Sequence, residues 1–307
     1  MRARSTASIA LLACVAASAC RPADAKKGRG DSSALAQRAA RLEQSLAKRD
    51  SGAAAGKDVT KPLARWIMPI DLAELSGLAL LPDGRLLAHG DEHAKIYEID
   101  YRRGVVLKEF ALGKPAVKGD FEAIASAGDR LYLLDSNGSL YEFHEGKNGE
   151  RVDYTAHDTK LGKECEFEGL AYDSTITSLL LACKHVHKKE FKDDVLIYRW
   201  PVTKGDDHVL SELAVPLSSI PKAVKSKKGE FHPSDITLDP LTGNYIIISS
   251  LEKAILSITP AGQVVFAREL QGEHDQAEAV AITRDSILII GDEAARQPAA
   301  ITLYRWP

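Results

Sequence analysis

Five segments of this chain repeat one short pattern, in which a polar or acidic residue stands two places before an aliphatic residue. The segments span residues 74–79, 120–125, 166–171, 232–237 and 276–281. If Ser76, Glu122, Glu168, Ser234 and Glu278 are taken as equivalent, the repeats are 46, 46, 66 and 44 residues apart. A period in the mid-forties with only strand signals between repeats is typical of β-propeller blades. The repeat therefore predicts an all-β fold, a five-bladed β-propeller.

Each repeat continues with further apolar runs bounded by turn residues, as expected of buried strands. The second runs span residues 85–88, 130–134, 179–182, 245–248 and 287–290. The third runs span residues 96–99, 140–143, 197–200, 255–258 and 303–306. A fourth, more polar strand is predicted to start near Val105, Val152, Val209 and Val264. The pattern thus predicts four strands in each blade.

The fifth repeat has no residues for a fourth strand, because Pro307 follows its third strand directly. Residues 63–68, just before the first repeat, are predicted to supply that strand and to close the ring, which removes an unpaired sheet edge. The alternative is a six-bladed ring with a divergent blade in the long third interval. That interval contains a charged insertion at residues 218–231, which accounts for most of its extra length.

The first 62 residues lack the repeat. Arg2 and Arg4 precede an apolar stretch at residues 7–19 that ends at Cys20, which is the layout of a secretory signal. Residues 17–20 resemble a bacterial lipoprotein processing box, which predicts a lipid on Cys20; the alternative is ordinary cleavage near Ala19. Residues 1–20 are expected to form the signal, 21–62 a flexible tether with room for a short amphipathic helix, and 63–307 the propeller domain.

Net charge, lysine distribution and the lengths of the apolar runs limit the classes of partner that the protein is expected to bind. The net charge of −3 and two lysine clusters without interleaved aromatic residues argue against nucleic-acid binding. No apolar run is long enough to span a bilayer as a helix, so membrane contact is expected only through the lipid anchor. With Cys14 in the signal and Cys20 acylated, Cys165 and Cys183 remain in an oxidising compartment and are predicted to form a disulfide.

Most of the polar side chains that could bind a ligand are predicted to lie at one mouth of the channel. The first strands of all blades run in the same direction along a propeller channel, so Glu122, Glu168 and Glu278 should converge. Further residues are expected at the same mouth: Ser76, Asp91, Glu92, Ser234, Asp235, Asp292 and Glu293. Three close carboxylates repel one another unless a cation compensates them or some stay protonated. Calcium, with its oxygen ligands and loose geometry, fits such a ring; the alternative is that the glutamates accept backbone hydrogen bonds from the next blade.

Six histidines predicted near the same mouth allow a second interpretation of its function. They are His89, His93, His185, His187, His232 and His274. Histidine is the usual general base, and a bound cation can polarise a carbonyl or phosphoryl oxygen. The alternative function is therefore a metal-assisted hydrolase of esters, lactones or phosphoesters.

The repeats also resemble one known family. The resembling segments are residues 75–78, 91–92, 121–125, 168–173, 233–236, 239–243, 276–281 and 292–293. Together they are similar to the SdiA-regulated (YjiK-like) family of exported bacterial propellers, from which the insertion at 218–231 departs. The resemblance implies a five-bladed ring with bound calcium and leaves the biochemical role open. We expect an exported, lipid-anchored calcium-binding module, at the outer membrane or in the periplasm, that captures a small ligand or an envelope protein without catalysis.

Overall fold

A computed structural model describes residues 28–50, 61–202 and 210–307 of the chain. The predicted secretory signal, the lipoprotein box at Cys20 and the predicted strand start at Val209 lie outside the described residues.

The described chain forms five sheets, antiparallel except for one short parallel pairing, and they are numbered here as blades in the order of their inner strands. A single strand, β1 (Ala64–Ile67), precedes them. Blade 1 holds β2 (Leu75–Leu80), β3 (Leu86–Gly90), β4 (Lys95–Asp100) and β5 (Val105–Leu112). Blade 2 holds β6 (Phe121–Ala127), β7 (Arg130–Asp135), β8 (Ser139–His144) and β10 (Tyr154–Asp158), while the short β9 (Arg151–Val152) pairs in parallel with β5.

The other three blades follow the same plan. Blade 3 holds β11 (Cys165–Asp173), β12 (Ser178–Val186), β13 (Asp194–Pro201) and β14 (Ser211–Pro216). Blade 4 holds β15 (Asp235–Leu238), β16 (Tyr245–Ser249), β17 (Ala254–Ile258) and β18 (Val264–Glu269). Blade 5 holds β19 (Ala277–Ile282), β20 (Ile287–Asp292) and β21 (Ala300–Arg305).

The five inner strands close a ring. Strand β2 packs against β6 and β19, β6 against β11, β11 against β15, and β15 against β19. Every inner strand therefore has an inner strand on each side, and the prediction of a five-bladed β-propeller is confirmed. The long third interval adds no blade: it holds two short 3-10 turns, Leu217–Ser219 and Lys222–Val224, and buries Ile220 and Phe231 against the core.

Strand β1 completes blade 5, as predicted. It pairs antiparallel with β21, with Trp66 opposite Ile301, and the backbone N–H groups of Leu63 and Met68 donate to β21 and to the residue before it. The indole Nε1 of Trp66 also donates to the carbonyl of Tyr101 at 2.7 Å, which ties the closing strand to blade 1.

The core lies between the blades, because each sheet buries both of its faces. Strand β16 illustrates this: Tyr245 and Ile247 pack with residues of blade 3, whereas Ile246 and Ile248 pack with residues of blade 5. A strand that is covered on both faces has no solvated face for polar side chains, which explains the continuous apolar run at residues 245–248.

Within the described residues one α-helix, α1 (Gly28–Asp50), covers part of the predicted tether. Leu42 on this helix is only 2% exposed and belongs to the core cluster between blades 5 and 1. Arg38 donates to the carbonyl of Arg103, and Glu43 pairs with Arg102. The described helices include none that is long and apolar enough to cross a bilayer.

Candidate functional site

The inner strands give the channel a layered interior, because alternate residues of a strand share a face. We call the first ring the upper layer; it consists of Ser76, Glu122, Glu168, Ser234 and Glu278. Two residues further along lies the apolar layer, which consists of Leu78, Ile124, Leu170, Ile236 and Val280. All five side chains of the apolar layer are buried, none more than 5% exposed. The upper layer therefore rests on a floor of hydrocarbon.

Local backbone geometry sets the direction of the upper-layer side chains. The pairing of the first two strands passes from Phe121–Asp135 to Ala123–Leu134, which leaves Glu122 without a partner. The same register shift occurs at the positions of Ser76, Glu168 and Glu278. Such a β-bulge turns the unpaired residue away from its regular direction. Four of the five repeats thus use a bulge to aim the upper-layer side chain.

The residue after each upper-layer side chain must often be small, because neighbouring inner strands approach closely there. A Cβ atom on Gly77 would lie 2.3 Å from His89 Nε2 and 3.1 Å from the Cα of Ala123. A Cβ atom on Gly169 would lie 3.0 Å from the Cα of Asp235. The glycines of the repeat therefore follow from the packing of adjacent blades.

Lys184 lies among the three glutamates. Its Nζ donates to Glu168 Oε1 at 2.7 Å. Burial lowers the pKa of Lys184, but the charges of Glu168, Glu278 and, less strongly, the third glutamate of the layer outweigh burial, so its pKa is raised overall. Burial raises the pKa of Glu168 to about 7 even though Lys184 acts in the opposite direction. Lys184 is thus a built-in counter-ion, held mainly by one of the three carboxylates.

The other two glutamates of the upper layer interact more weakly with Lys184 than Glu168 does. Burial, with the charge of Glu168 next, raises the pKa of Glu122 to about 9. Glu122 makes no hydrogen bond with the residues that the structure describes. Burial also raises the pKa of Glu278, opposed by Lys184 and by a hydrogen bond from Ser250, and Glu278 Oε2 is buried without any partner. The upper layer is therefore short of positive charge.

Acidic residues continue around the rim of this mouth. A hydrogen bond to Asp91 is the main cause of a raised pKa at Glu74. Burial, followed by the charges of Glu278 and Asp91, raises the pKa of Glu293. Glu293 accepts a hydrogen bond from Gln276 at 2.8 Å, whereas Glu92 is largely exposed. The structure thus brings Asp91, Glu92 and Glu293 to the mouth beside the glutamates.

Two of the polar residues named from the sequence bind backbone groups of neighbouring strands. Asp235 is fully buried, and its carboxylate accepts N–H groups from Ile236 and from Val280 of blade 5, each at 2.8 Å, and from Leu170 of blade 3. The Ser234 hydroxyl donates to the carbonyl of Ala277 at 2.7 Å. The blade-linking role considered for the glutamates is therefore performed by Asp235 and Ser234. The Ser76 hydroxyl makes only a local bond, to the carbonyl of Glu74.

Asp292 is buried in blade 5, close enough to the upper layer for its charge to raise the pKa of Glu278. Its Oδ2 lies 2.8 Å from His274 Nδ1 and 3.5 Å from Arg65 Nη1 of the closing strand. His274 Nε2 lies 2.9 Å from the Tyr304 hydroxyl. Both His274 and Asp292 are buried, so this network joins the closing strand to blade 5.

The remaining five histidines are dispersed. His89 is buried beneath Gly77, and burial lowers its pKa to about 4. His232 Nδ1 lies 3.0 Å from Glu252, and its ring stacks edge-on against His185. His93 lies near Glu92, and His187 is exposed. In the described part of the chain, no histidine forms a hydrogen bond with an upper-layer glutamate.

A disulfide lies next to the upper layer. Cys165 and Cys183 are bonded, with their Cα atoms 5.7 Å apart. The bond joins the start of β11 to β12 one residue before Lys184, so it holds the strands that carry Lys184 and Glu168. The sequence pattern does not single out Lys184, because no repeat marks it and further lysines follow at 188, 189 and 192.

Within residues 28–50, 61–202 and 210–307, no three His, Cys, Asp or Glu side chains stand close enough to hold one metal ion. The chemistry of the upper layer nevertheless suits a hard cation, because within the described residues one oxygen of Glu278 has no partner and Glu122 has no hydrogen-bonded counter-ion. Lys184 already occupies Glu168 and would compete. Calcium at this mouth stays a prediction.

Fold and site together define a five-bladed β-propeller with an acidic channel mouth. The chain matches no family model, and no curated protein matches its sequence. A glutaminyl cyclase from Myxococcus xanthus matches with a TM-score of 0.51 and 15% identity, over 79% of this chain and 94% of that chain. The PQQ-bound aldose sugar dehydrogenase from Streptomyces coelicolor matches with a TM-score of 0.53 and 14% identity, over 80% of this chain and 97% of that chain. These likenesses concern the fold alone, so the resemblance to the SdiA-regulated family stays a prediction.

Proposed function

We propose that this protein is a binding module that holds a cation at the acidic channel mouth, with calcium as the first ion to test. The observation that carries the proposal is the charge imbalance of the upper layer. Three glutamates, one buried and two half-buried, face a single ammonium. Glu278 Oε2 has no hydrogen-bond partner among the described residues. A buried carboxylate without a counter-charge is costly, so a bound cation would be favoured there.

Glu122 and Glu278 are the residues that would hold the ion, with Glu168 retained by Lys184. A bound divalent cation would supply the missing positive charge and join the inner strands of blades 2 and 5. Because Glu122 titrates at about 9, the cation must displace a proton at neutral pH. Calcium affinity should therefore increase as the pH rises from 6 to 9.

The test is calorimetric titration of EDTA-treated full-length protein with calcium at pH 6, 7.5 and 9. The double variant Glu122→Gln, Glu278→Gln should lose binding, whereas Lys184→Met should bind at least tenfold more tightly because the internal competitor is gone. Glu269→Gln, on an exposed site of β18, is the matched control and should bind as the wild type does. Absence of heat and of any thermal shift in both the wild type and Lys184→Met would refute the proposal.

A metal-assisted hydrolase is the weaker alternative, because it needs a base beside the ion. His232 lies against Glu252 rather than the upper layer, and His185 packs its ring against His232. His89 and His274 are enclosed within blades. Their positions favour capture of a ligand, such as a small cationic molecule or an envelope protein, over hydrolysis.

The proposal includes export and a lipid anchor on Cys20, which rest on the sequence of residues 1–20. Cys20→Ser should release the protein from the membrane fraction of cells that produce it. If Cys20→Ser stays in the membrane fraction, this result argues against the lipid anchor and does not bear on the proposed cation site.

A further inference from the structure

The end of the channel opposite to the carboxylates opens into a wide depression, which we call the lower bowl. It has a volume of about 960 Å³ and is lined by residues from all five blades. A smaller cavity of about 140 Å³ extends from it along the inner strands. Leu80, Ser126, Tyr172 and Ile282 line both spaces, so the two are continuous. The size lies within the range of small-molecule sites, roughly 300–1,000 Å³.

The deep part of the lower bowl is apolar. Leu80, Tyr172 and Leu238 belong to inner strands, yet each keeps part of its surface exposed because it faces this space. The apolar layer forms the deepest wall, with Leu78 and Ile236 lining the inner cavity. Apolar side chains at the centre of a propeller that are left unburied provide a surface on which hydrocarbon can be removed from water.

The outer part of the lower bowl carries a distinct charge pattern. Four charged residues line it: Asp83, Arg102, Arg284 and Asp285. Asp83 pairs with Arg85 at 2.7 Å, and Arg102 pairs with Asp285 at 2.6 Å and with Glu43 of α1. Arg284 is exposed and makes no ion pair with any residue of the described ranges. The bowl therefore presents one uncompensated cation above an apolar interior.

We propose that the lower bowl binds a single-chain amphiphile with a carboxylate head, of the fatty-acid class. The hydrocarbon chain would lie against Leu80, Leu238 and Ile282, and the carboxylate would lie beside Arg284. The apolar layer separates this ligand from the glutamates of the upper layer, which suit a cation rather than a carboxylate. The lower bowl is thus a second site, with the opposite charge preference to the upper layer.

The surroundings of the bowl agree with such a ligand. The turns that contribute Ser174 and Pro240 also carry Ile176 and Leu241, which are 43% and 65% exposed. Apolar side chains beside the entrance give a hydrocarbon chain a continuous path from the surface into the bowl.

The experiment is calorimetric titration of the full-length protein with laurate and, separately, with dodecanol, both below their micelle or solubility limits. The wild type should bind one laurate with a saturable isotherm. Ser126→Trp, which fills the bowl, should weaken both ligands at least tenfold. Arg284→Gln should weaken laurate about three- to tenfold and leave dodecanol unchanged, while Glu269→Gln, on an exposed site of β18, should change neither.

Circular dichroism and thermal unfolding of Ser126→Trp establish that the variant is folded. If it does not fold, the difference between laurate and dodecanol in Arg284→Gln decides the question alone. The proposal is overturned if laurate does not saturate at one equivalent, if a folded Ser126→Trp binds as the wild type does, or if Arg284→Gln affects both ligands equally.

Discussion

Glu122 and Glu168 occupy equivalent positions in adjacent blades, yet their pKa values differ because of one neighbour. Burial raises the pKa of both carboxyls. Lys184 donates a hydrogen bond to Glu168 at 2.7 Å and holds its pKa at about 7, whereas Glu122 has no such partner and reaches about 9. At neutral pH the upper layer therefore combines a protonated acid with a carboxylate that titrates near physiological pH.

The protonated Glu122 makes stability depend on pH. In the unfolded chain a glutamate titrates at about 4.3, so between that pH and about 9 the folded state holds a proton that the unfolded state has lost. The free energy of unfolding must then fall as the pH rises through this window. Glu122→Gln removes the effect and should stabilise the protein by about 1–3 kcal/mol at pH 9, with little change at pH 4.

Urea unfolding at pH 4, 6.5 and 9 measures this difference, with Glu269→Gln as the exposed control. Curves for the wild type and Glu122→Gln that stay parallel across the whole pH range would show that Glu122 is ionised in the folded protein.

The sequence predicted some of these residues and missed others for a physical reason. Glu122, Glu168 and Glu278 recur at one position of a repeat, and a repeat fixes direction within a propeller blade. Lys184 occurs in one blade only, so no periodic signal separates it from exposed lysines. Asp292 ends β20 and lies against His274, a contact that the repeat does not predict because His274 stands outside the strands.

At the scale of the strand, the register shift and the glycine that follows it act together. Gly77 lies directly over His89, where an added Cβ would be 2.3 Å from Nε2. Overpacking of a buried contact usually costs about 1–3 kcal/mol. Gly77→Ala should therefore lower the free energy of unfolding by about 2 kcal/mol, although alanine would reduce the entropy of the unfolded chain.

A double-mutant cycle with His89→Ala isolates the cause. The double variant should be at least about 1 kcal/mol more stable than the sum of the single changes predicts, because alanine at position 89 makes room for the new methyl group. Strictly additive effects in urea unfolding would mean that the small residue is required by the backbone of Ala123 instead.

The positions of the strands could be predicted from the sequence, but the sheet that each outer strand joins was harder to predict. The second and third apolar runs coincide with β3, β7, β12, β16 and β20 and with β4, β8, β13, β17 and β21. The polar outer strands were harder: Val152 lies in β9, which joins blade 1, while blade 2 uses β10 instead. Outer strands are half solvated, so their apolar pattern is too weak to specify which edge they join.

At the scale of the whole molecule, the ring depends on a contact between the two ends of the domain. Strand β1 adds only four residues to blade 5, but it pairs with β21 along its full length and carries Trp66, which donates to Tyr101 of blade 1. Arg65 adds hydrogen bonds to Thr302 and lies near Asp292. A propeller closed in this way should resist opening as one unit rather than blade by blade.

Two truncations separate closure from the contribution of α1. A variant that lacks residues 1–60 loses α1, including buried Leu42, and should lose about 1–3 kcal/mol of unfolding free energy. A variant that lacks residues 1–68 also loses β1, which leaves β21 as an unpaired edge and exposes the core beneath Trp66 and Met68. This second variant should lose at least about 4 kcal/mol of unfolding free energy and associate through the free edge.

Urea unfolding and size-exclusion chromatography measure both effects. If the two variants unfold at the same urea concentration and both remain monomeric, β1 does not close the ring energetically, and the inner-strand packing of β2 against β19 must hold the two ends together alone.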